Sequence, residues 1–340
     1  MSRYTAESTS EEVCRDLSDK IQGSRVLITG VTPGSIGGEA ALQISRQAPA
    51  LLVLAGRRIE NLRLLEDAIR AGTPGANTRL LLLDLSSQES VRKAAEEVNA
   101  LPQGIDVLIN SAGTMATPYG VTKEGLELQF GTNHIGHFLF TNLILSKRLR
   151  HNTTKMKVVN VSSSGHKRGP VRFEDLGFED GKCYDKWQAY GQSKTANMLF
   201  SVSLAEKLGP RGVKSFSLYP GRIVTGIGRH LSLEDWVKSG WKNKDGEIIH
   251  DPKLNWRTLS QGAATLIVAA YDLSIEGKQT PSSHSDTSIE FNGEPIESNG
   301  SYLVNNQIHD DDAAEYAVDP KNAERLWTVS EELVGQKFRY

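Results

Sequence analysis

From Arg25 onward, short runs rich in Val, Leu and Ile alternate with helical stretches, and this alternation constrains the fold more than any other property of the chain. A strand buried on both faces reads as an unbroken apolar run, and a helix between two such runs carries the chain back so that the strands lie parallel. The strands read as 26–29, 51–55, 80–83, 107–109, 157–161, 214–218 and 301–304, with helical patterns over 36–46, 59–71, 88–100, 125–150, 189–208 and 259–272. The expectation is an α/β, doubly wound, single domain over residues 23–310: a seven-stranded parallel sheet with helices on both faces.

Residues 1–22 read as a polar N-terminal extension with a helix over 10–21, and residues 311–340 as a C-terminal helical extension with an amphipathic helix near 323–334. Two inserts exceed an ordinary connection, 165–188 and 222–256. The second holds Trp236, Trp241 and Trp256 and is read as a substrate lid, the plainer alternative being an ordinary surface helix.

Composition narrows the partners. Lys and Arg number 39 against 41 Asp and Glu, so no net field draws the chain to nucleic acid or an anionic membrane, and a small-molecule substrate is expected. Cys14 and Cys183 are the only cysteines, which leaves no disulfide scaffold and no Cys-based zinc site and points to a reducing compartment. The first twenty residues are polar and the apolar runs are strand-sized, so neither a signal peptide nor a membrane span is expected, and the location is read as cytoplasmic.

The first strand is followed by Thr29-Gly30-Val31-Thr32-Pro33-Gly34-Ser35-Ile36-Gly37-Gly38 and then a helix. A glycine-rich turn feeding a helix brings backbone amides and a positive helix end up to a pyrophosphate, which predicts a dinucleotide site. About twenty residues on, strand two ends in Gly56-Arg57-Arg58, where an NAD site would place an acid for the ribose 2′-hydroxyl. Arginine accepts a 2′-phosphate instead, so NADP(H) is favoured over NAD(H); the alternative is two solvated arginines opening a helix. Asp84 and Leu85 close strand three, and Asn110, Ala112 and Gly113 close strand four, either lining the adenine and ribose or serving as strand-ending turns.

Strand five runs into Ser162-Ser163-Ser164, and the helix near Ala189 carries Tyr190 and Lys194. Four residues of helix place the phenol and the ammonium on one face, about 6 Å apart along the axis. A phenol with a pKa near ~10 exchanges protons at neutral pH only if its anion is stabilised, and a neighbouring ammonium does that. Tyr119 and Lys123 repeat the spacing, but Tyr119 follows Pro118 in a loop with no such partners.

With Val159-Asn160-Val161-Ser162-Ser163, Tyr190-Gly191-Gln192-Ser193-Lys194, Asn133-His134-Ile135-Gly136-His137 and Tyr219-Pro220-Gly221-Arg222-Ile223-Val224-Thr225, the chain resembles the short-chain dehydrogenase/reductase family over residues 23–305. Its nearest flavour is the branch of retinol-dehydrogenase-like and WW-domain-oxidoreductase-like enzymes. The resemblance implies a Rossmann fold and an NADP(H)-dependent oxidoreductase interconverting a carbonyl and an alcohol. It implies Tyr190 as acid/base, Lys194 gripping the nicotinamide ribose and lowering the tyrosine pKa, Ser163 bonding the substrate oxygen, and Asn133 anchoring a water in the proton relay. Pro220, Gly221, Ile223 and Thr225 would close over the nicotinamide, and Gly30, Thr32, Gly34, Ser35, Ile36 and Gly37 would meet the pyrophosphate. Ser164 is the rival to Ser163, since strand neighbours point oppositely.

The glycine turn departs from the family's TGxxxGxG by one additional residue before the last glycine, so individual phosphate contacts do not transfer. Hydride passes directly to carbon and needs no metal; His134 and His137 lack a third ligand and are expected in helix packing. The family's habits imply a homodimer or homotetramer through the helices of 125–150 and 189–208, unless the extensions block it. Two other functions stay open: reduction of a C=C bond on the same fold, and a catalytically silent NADP(H) sensor.

Overall fold

A computed structural model describes residues 2–150, 155–276 and 298–340. The strands are β1 (Arg25–Thr29), β2 (Leu51–Gly56), β3 (Thr78–Leu82), β4 (Val107–Asn110), β5 (Met156–Val161), β6 (Val213–Tyr219), β7 (Tyr302–Val304) and β8 (Gln307–Ile308). The helices are α1 (Ser10–Asp16), α2 (Ser18–Ile21), α3 (Ile36–Ser45), α4 (Ile59–Gly72), α5 (Gln88–Asn99), α6 (Leu128–Phe130), α7 (Gly136–Arg150), α8 (Lys186–Leu208), α9 (Leu233–Lys238), α10 (Leu259–Tyr271), α11 (Glu315–Val318) and α12 (Pro320–Val334).

All strands join one sheet in the order β3-β2-β1-β4-β5-β6-β7-β8. Val26 pairs with Leu52 on one side and Val107 on the other, so the sheet grows outward in both directions from β1 and β4. Where growth reverses, the strand ends diverge and leave a crevice beyond Thr29 and Asn110. Seven strands are parallel as expected, and β8 adds an eighth, antiparallel to β7. It is two residues long, too short to show an apolar pattern, and is turned back by Asn305 and Asn306, both at positive φ (52° and 68°).

Alternation along β1 divides the core. Val26 and Ile28 pack with Leu52, Leu54, Ile44 and Leu266 on one face, while Leu27 packs with Val53, Leu108, Phe138 and Leu199 on the other. Truncating such a side chain costs about 2–5 kcal/mol, so each face is held independently. Both terminal segments pack onto this frame. Val13 and Cys14 of α1 are buried against the α3 and α10 side, and Trp327 of α12 meets Phe138 and Phe200 at 5.1 and 6.1 Å.

The stretch expected as one helix over 125–150 is broken. After α6 the backbone makes a π-helical turn over Gly131–Ile135 before α7 begins. Close approach accounts for the glycines here: a Cβ on Gly131 would lie 2.4 Å from Thr122 Cγ2, and one on Gly136 would lie 2.5 Å from the Leu85 carbonyl oxygen. Helix α8 starts at Lys186, ahead of the expected 189, because Asp185 accepts from the amides of Trp187 and Gln188 at 2.9 and 2.7 Å. Among the described residues, no helix is long and apolar enough to cross a membrane.

Candidate active site

Beyond the carboxyl ends of the strands lies a cavity of about 690 Å³. At one end the glycine turn enters α3. Gly30 has φ 75°, and a Cβ there would lie 2.5 Å from Ala112 Cα, so two backbones touch at this point. Ser35 caps α3: its hydroxyl accepts from the amides of Thr32 and Gly38, both at 3.0 Å. The additional residue of the turn thus places a capping serine before the helix. The amides of Ile36 and Gly37 have no protein acceptor among the described residues and begin the first helical turn, where an anion is favoured.

At the other end stand Ser163, Tyr190 and Lys194. Val161 O accepts from the Lys194 ammonium at 2.9 Å, no carboxylate pairs with it among the described residues, and it lies 5.7 Å from the Tyr190 ring centroid. Burial dominates both groups. It pushes Tyr190 up to about 12, against the Ser163 hydroxyl acting downward, and pulls Lys194 down to about 8. Ser162, Ser163 and Ser164 all line the cavity; the Ser162 hydroxyl donates to Lys194 O at 2.8 Å, while Ser163 faces the phenol.

Behind this front is a layer of braces. The Asn133 amide oxygen accepts from Thr114 N at 2.8 Å, and its nitrogen donates to Thr114 O and Ser193 Oγ, both at 2.9 Å, which ties the loop after β4 to α8. Thr29 Oγ1 accepts from the amides of Ser111 and Ala112, so it donates to His137 Nε2, and His137 Nδ1 donates to Asn133 O at 2.9 Å. Burial holds His134 down at about 3 and His137 at about 4, so both rings are neutral braces. His166 donates from Nδ1 to Ser163 O at 2.7 Å and accepts at Nε2 from Ala314 N at 3.2 Å, which links the C-terminal segment to the serine.

The insert of 222–256 forms one wall of the cavity. Trp236, Trp241 and Trp256 line it; Trp241 meets Trp236 at 5.5 Å and Trp187 and Trp256 at 6.2 Å each. The Arg222 guanidinium stacks at 5.2 and 5.6 Å from Trp241 and Trp256. A bridge between Arg222 and Trp256 joins the two ends of the insert, and Lys186 holds α9 through Asp235 at 2.5 Å.

Residues 24–175 match the family model of the short chain dehydrogenases. The short-chain dehydrogenase TIC 32 B, chloroplastic, of Brassica napus is 32% identical over 98% of this chain and 95% of its own length. The chain belongs to the short-chain dehydrogenase family. Retinol dehydrogenase 13 of Mus musculus is 32% identical to this short-chain dehydrogenase over 93% of the chain and 85% of its own length. Among solved structures, an uncharacterized protein from Mycobacterium Paratuberculosis shares 26% identity with a TM-score of 0.64, covering 99% of both chains. Members of the family are oxidoreductases that bind nicotinamide cofactors, and this protein is an oxidoreductase of that family.

The residues present fit such a cofactor: a glycine turn with free amides at one end, and a buried ammonium without a carboxylate partner at the other. Of the residues expected from sequence, Gly30, Thr32, Gly34, Ser35, Ile36, Arg57, Arg58, Asp84, Leu85, Ala112, Gly113, Ser163, Tyr190, Lys194, Pro220, Gly221, Ile223 and Thr225 line this one cavity of the short-chain dehydrogenase. Gly37, Asn110 and Asn133 do not; Asn110 donates to Thr141 Oγ1 and Asn160 Oδ1 below the floor. Asp84 lines the wall, but its Oδ1 accepts from the Ser86 amide and hydroxyl in a turn. Tyr119 is exposed and stacks on Tyr184 away from the cavity. Not singled out from sequence as site residues were Gly165, Asn61, Thr114, Arg229 and His230, although Gly165 directly follows the serine run and Arg229 and His230 lie within the insert; Tyr219, which heads the run of 219–225, also lines the cavity.

Proposed function

We propose that this protein is an NADP(H)-dependent oxidoreductase that interconverts a carbonyl and an alcohol on a mainly apolar small molecule. The observation that carries it is a single cavity with Ser163, Tyr190 and Lys194 at one end and Arg57 and Arg58 beyond the glycine turn at the other. When bound, the nicotinamide supplies or accepts the hydride. The turn from Gly30 to Gly37 would hold the pyrophosphate, Arg57 and Arg58 the 2′-phosphate, Lys194 the ribose hydroxyls, and 220–225 the nicotinamide.

In the reductive direction Tyr190 donates its phenolic proton to the substrate oxygen, and in the oxidative direction it takes the proton back. Burial alone disfavours the phenolate, so the Lys194 ammonium supplies part of the positive charge that the anion needs. Lysine pulled down to about 8 remains mostly protonated at neutral pH. Ser163 donates to the same substrate oxygen and fixes its direction, while Asn133 acts behind them on the alignment of α8. The tryptophan wall excludes water and favours apolar, flat substrates. Cys14 and Cys183 are unpaired, in keeping with the reducing cytoplasm proposed as its location.

The test is Tyr190→Phe assayed for NADPH oxidation over a panel of ketones, aldehydes and enones. Carbonyl turnover is expected to fall by ~10²–10⁴-fold with NADPH affinity nearly unchanged. Undiminished turnover refutes the mechanism, activity confined to enones moves the reaction to C=C reduction, and tighter binding of NADH than NADPH overturns the cofactor preference.

A further inference from the structure

The NADP(H) reading leaves one part of the cavity unexplained. The insert carries a 3-10 turn, Gly226–His230, whose last two residues, Arg229 and His230, stand at the cavity rim together with Arg57, Arg58 and Asn61. Three guanidinium groups and an imidazole thus meet at one place, from two separate parts of the chain. Among the described residues none of the three arginines forms a salt bridge; the rim's carboxylate, Asp84, is engaged by Ser86. Arg229 donates to Gly226 O at 3.1 Å within its own turn.

The mutual repulsion is felt. The Arg229 guanidinium is held below its ordinary range by burial and then by Arg57 and Arg58, and His230 is held down by burial, Arg229 and Arg57. Like charges brought together without a counter-charge cost free energy that a bound dianion would recover. The turn is also held in place: Gly228 is buried under Trp236, and a Cβ there would lie 2.5 Å from Trp236 Cζ2. The tryptophan that walls the substrate end therefore also fixes the turn that presents Arg229.

We propose that Arg229 and His230 form the second wall of the 2′-phosphate site, opposite Arg57 and Arg58, so that this phosphate fastens the insert over the cavity. The proposal rests on the NADP(H) reading and goes beyond it. It makes one phosphate, remote from the reacting carbon, a determinant of how the substrate wall is set. A phosphomonoester carries about −1.5 to −2 charges at neutral pH and three acceptor oxygens, enough to engage both walls at once.

The test uses two probes that lack the nicotinamide, adenosine 2′,5′-bisphosphate and adenosine 5′-monophosphate, measured by calorimetry on the whole chain and on Arg229→Gln and His230→Gln. The wild type is expected to prefer the bisphosphate. Arg229→Gln is expected to lose about tenfold or more in affinity for it with the monophosphate unchanged, His230→Gln less. The bisphosphate, and not the monophosphate, is expected to protect 222–256 from limited proteolysis. If the wild type binds both probes equally, the NADP(H) reading and this inference fall together. If it discriminates and Arg229→Gln discriminates as strongly, the NADP(H) reading stands and this inference alone is overturned.

Discussion

Gly165 lies flush against Tyr190: a Cβ on the glycine would sit 2.8 Å from Cε1 and 2.9 Å from Cδ1 of the phenol ring, and 3.3 Å from Ser163 Oγ. A methyl group cannot enter this gap unless the ring or the turn moves. Gly165→Ala is therefore expected to lower kcat by roughly tenfold to a hundredfold through misplacement of the phenol, with NADPH affinity retained. Steady-state kinetics beside a cofactor titration check this; unchanged kcat would show that the ring is not held by the glycine.

Stability is expected to depend on pH through His134 and His137. Burial depresses both from about 6.5 in the unfolded chain to about 3 and about 4 in the folded one. Between those values the unfolded chain binds more protons, so the contribution is fully present above about pH 6.5 and is lost as pH falls toward 3. The slope approaches about 1.4 kcal/mol per pH unit for each ring. Urea midpoints from pH 7 to 4 measure it, and His134→Gln is expected to flatten the profile.

Trp241 is the hub of the insert, in contact with Trp187, Trp236, Trp256 and Arg222. Aromatic pairs are worth about 0.5–1.5 kcal/mol each beyond their area, so Trp241→Ala is expected to loosen the insert by roughly 2–4 kcal/mol. KM for apolar substrates should rise more than kcat falls. Equal losses in both would place the tryptophan in the chemical step.

Helix α12 covers the outer side of α7 and α8. Ser203 Oγ donates to Ala323 O at 2.9 Å, His134 Nε2 and Ser330 Oγ are 2.8 Å apart, and the Tyr340 hydroxyl donates to Asn142 Oδ1 at 2.6 Å. Light scattering is expected to show no self-association through these helices. Trp327→Ala should cost about 3–5 kcal/mol in unfolding free energy. Removing 313–340 should also free His166 and, with it, the Ser163 backbone, so that activity falls faster than folding.

The features legible in sequence were those set by short-range rules. Apolar runs located the seven parallel strands, and a spacing of four placed Tyr190 and Lys194 on one face. What escaped depended on approach in space. Nothing in the residues of 125–150 marks a π-helical turn, because it is imposed by Thr122 and Leu85 packing on Gly131 and Gly136 from elsewhere. Arg229 and Arg58 are far apart in the chain and meet only because the insert folds back over the cavity. Asn133 reads as a site residue from its motif, yet its side chain is spent on Thr114 and Ser193 behind the front.

The bridge between Arg222 and Trp256 has a practical consequence. A segment that leaves and rejoins the body at one doorway behaves as an interchangeable module. Sequence between those two positions can drift, or be transplanted from a relative, and alter which molecules are admitted while the proton-handling apparatus stays as it is.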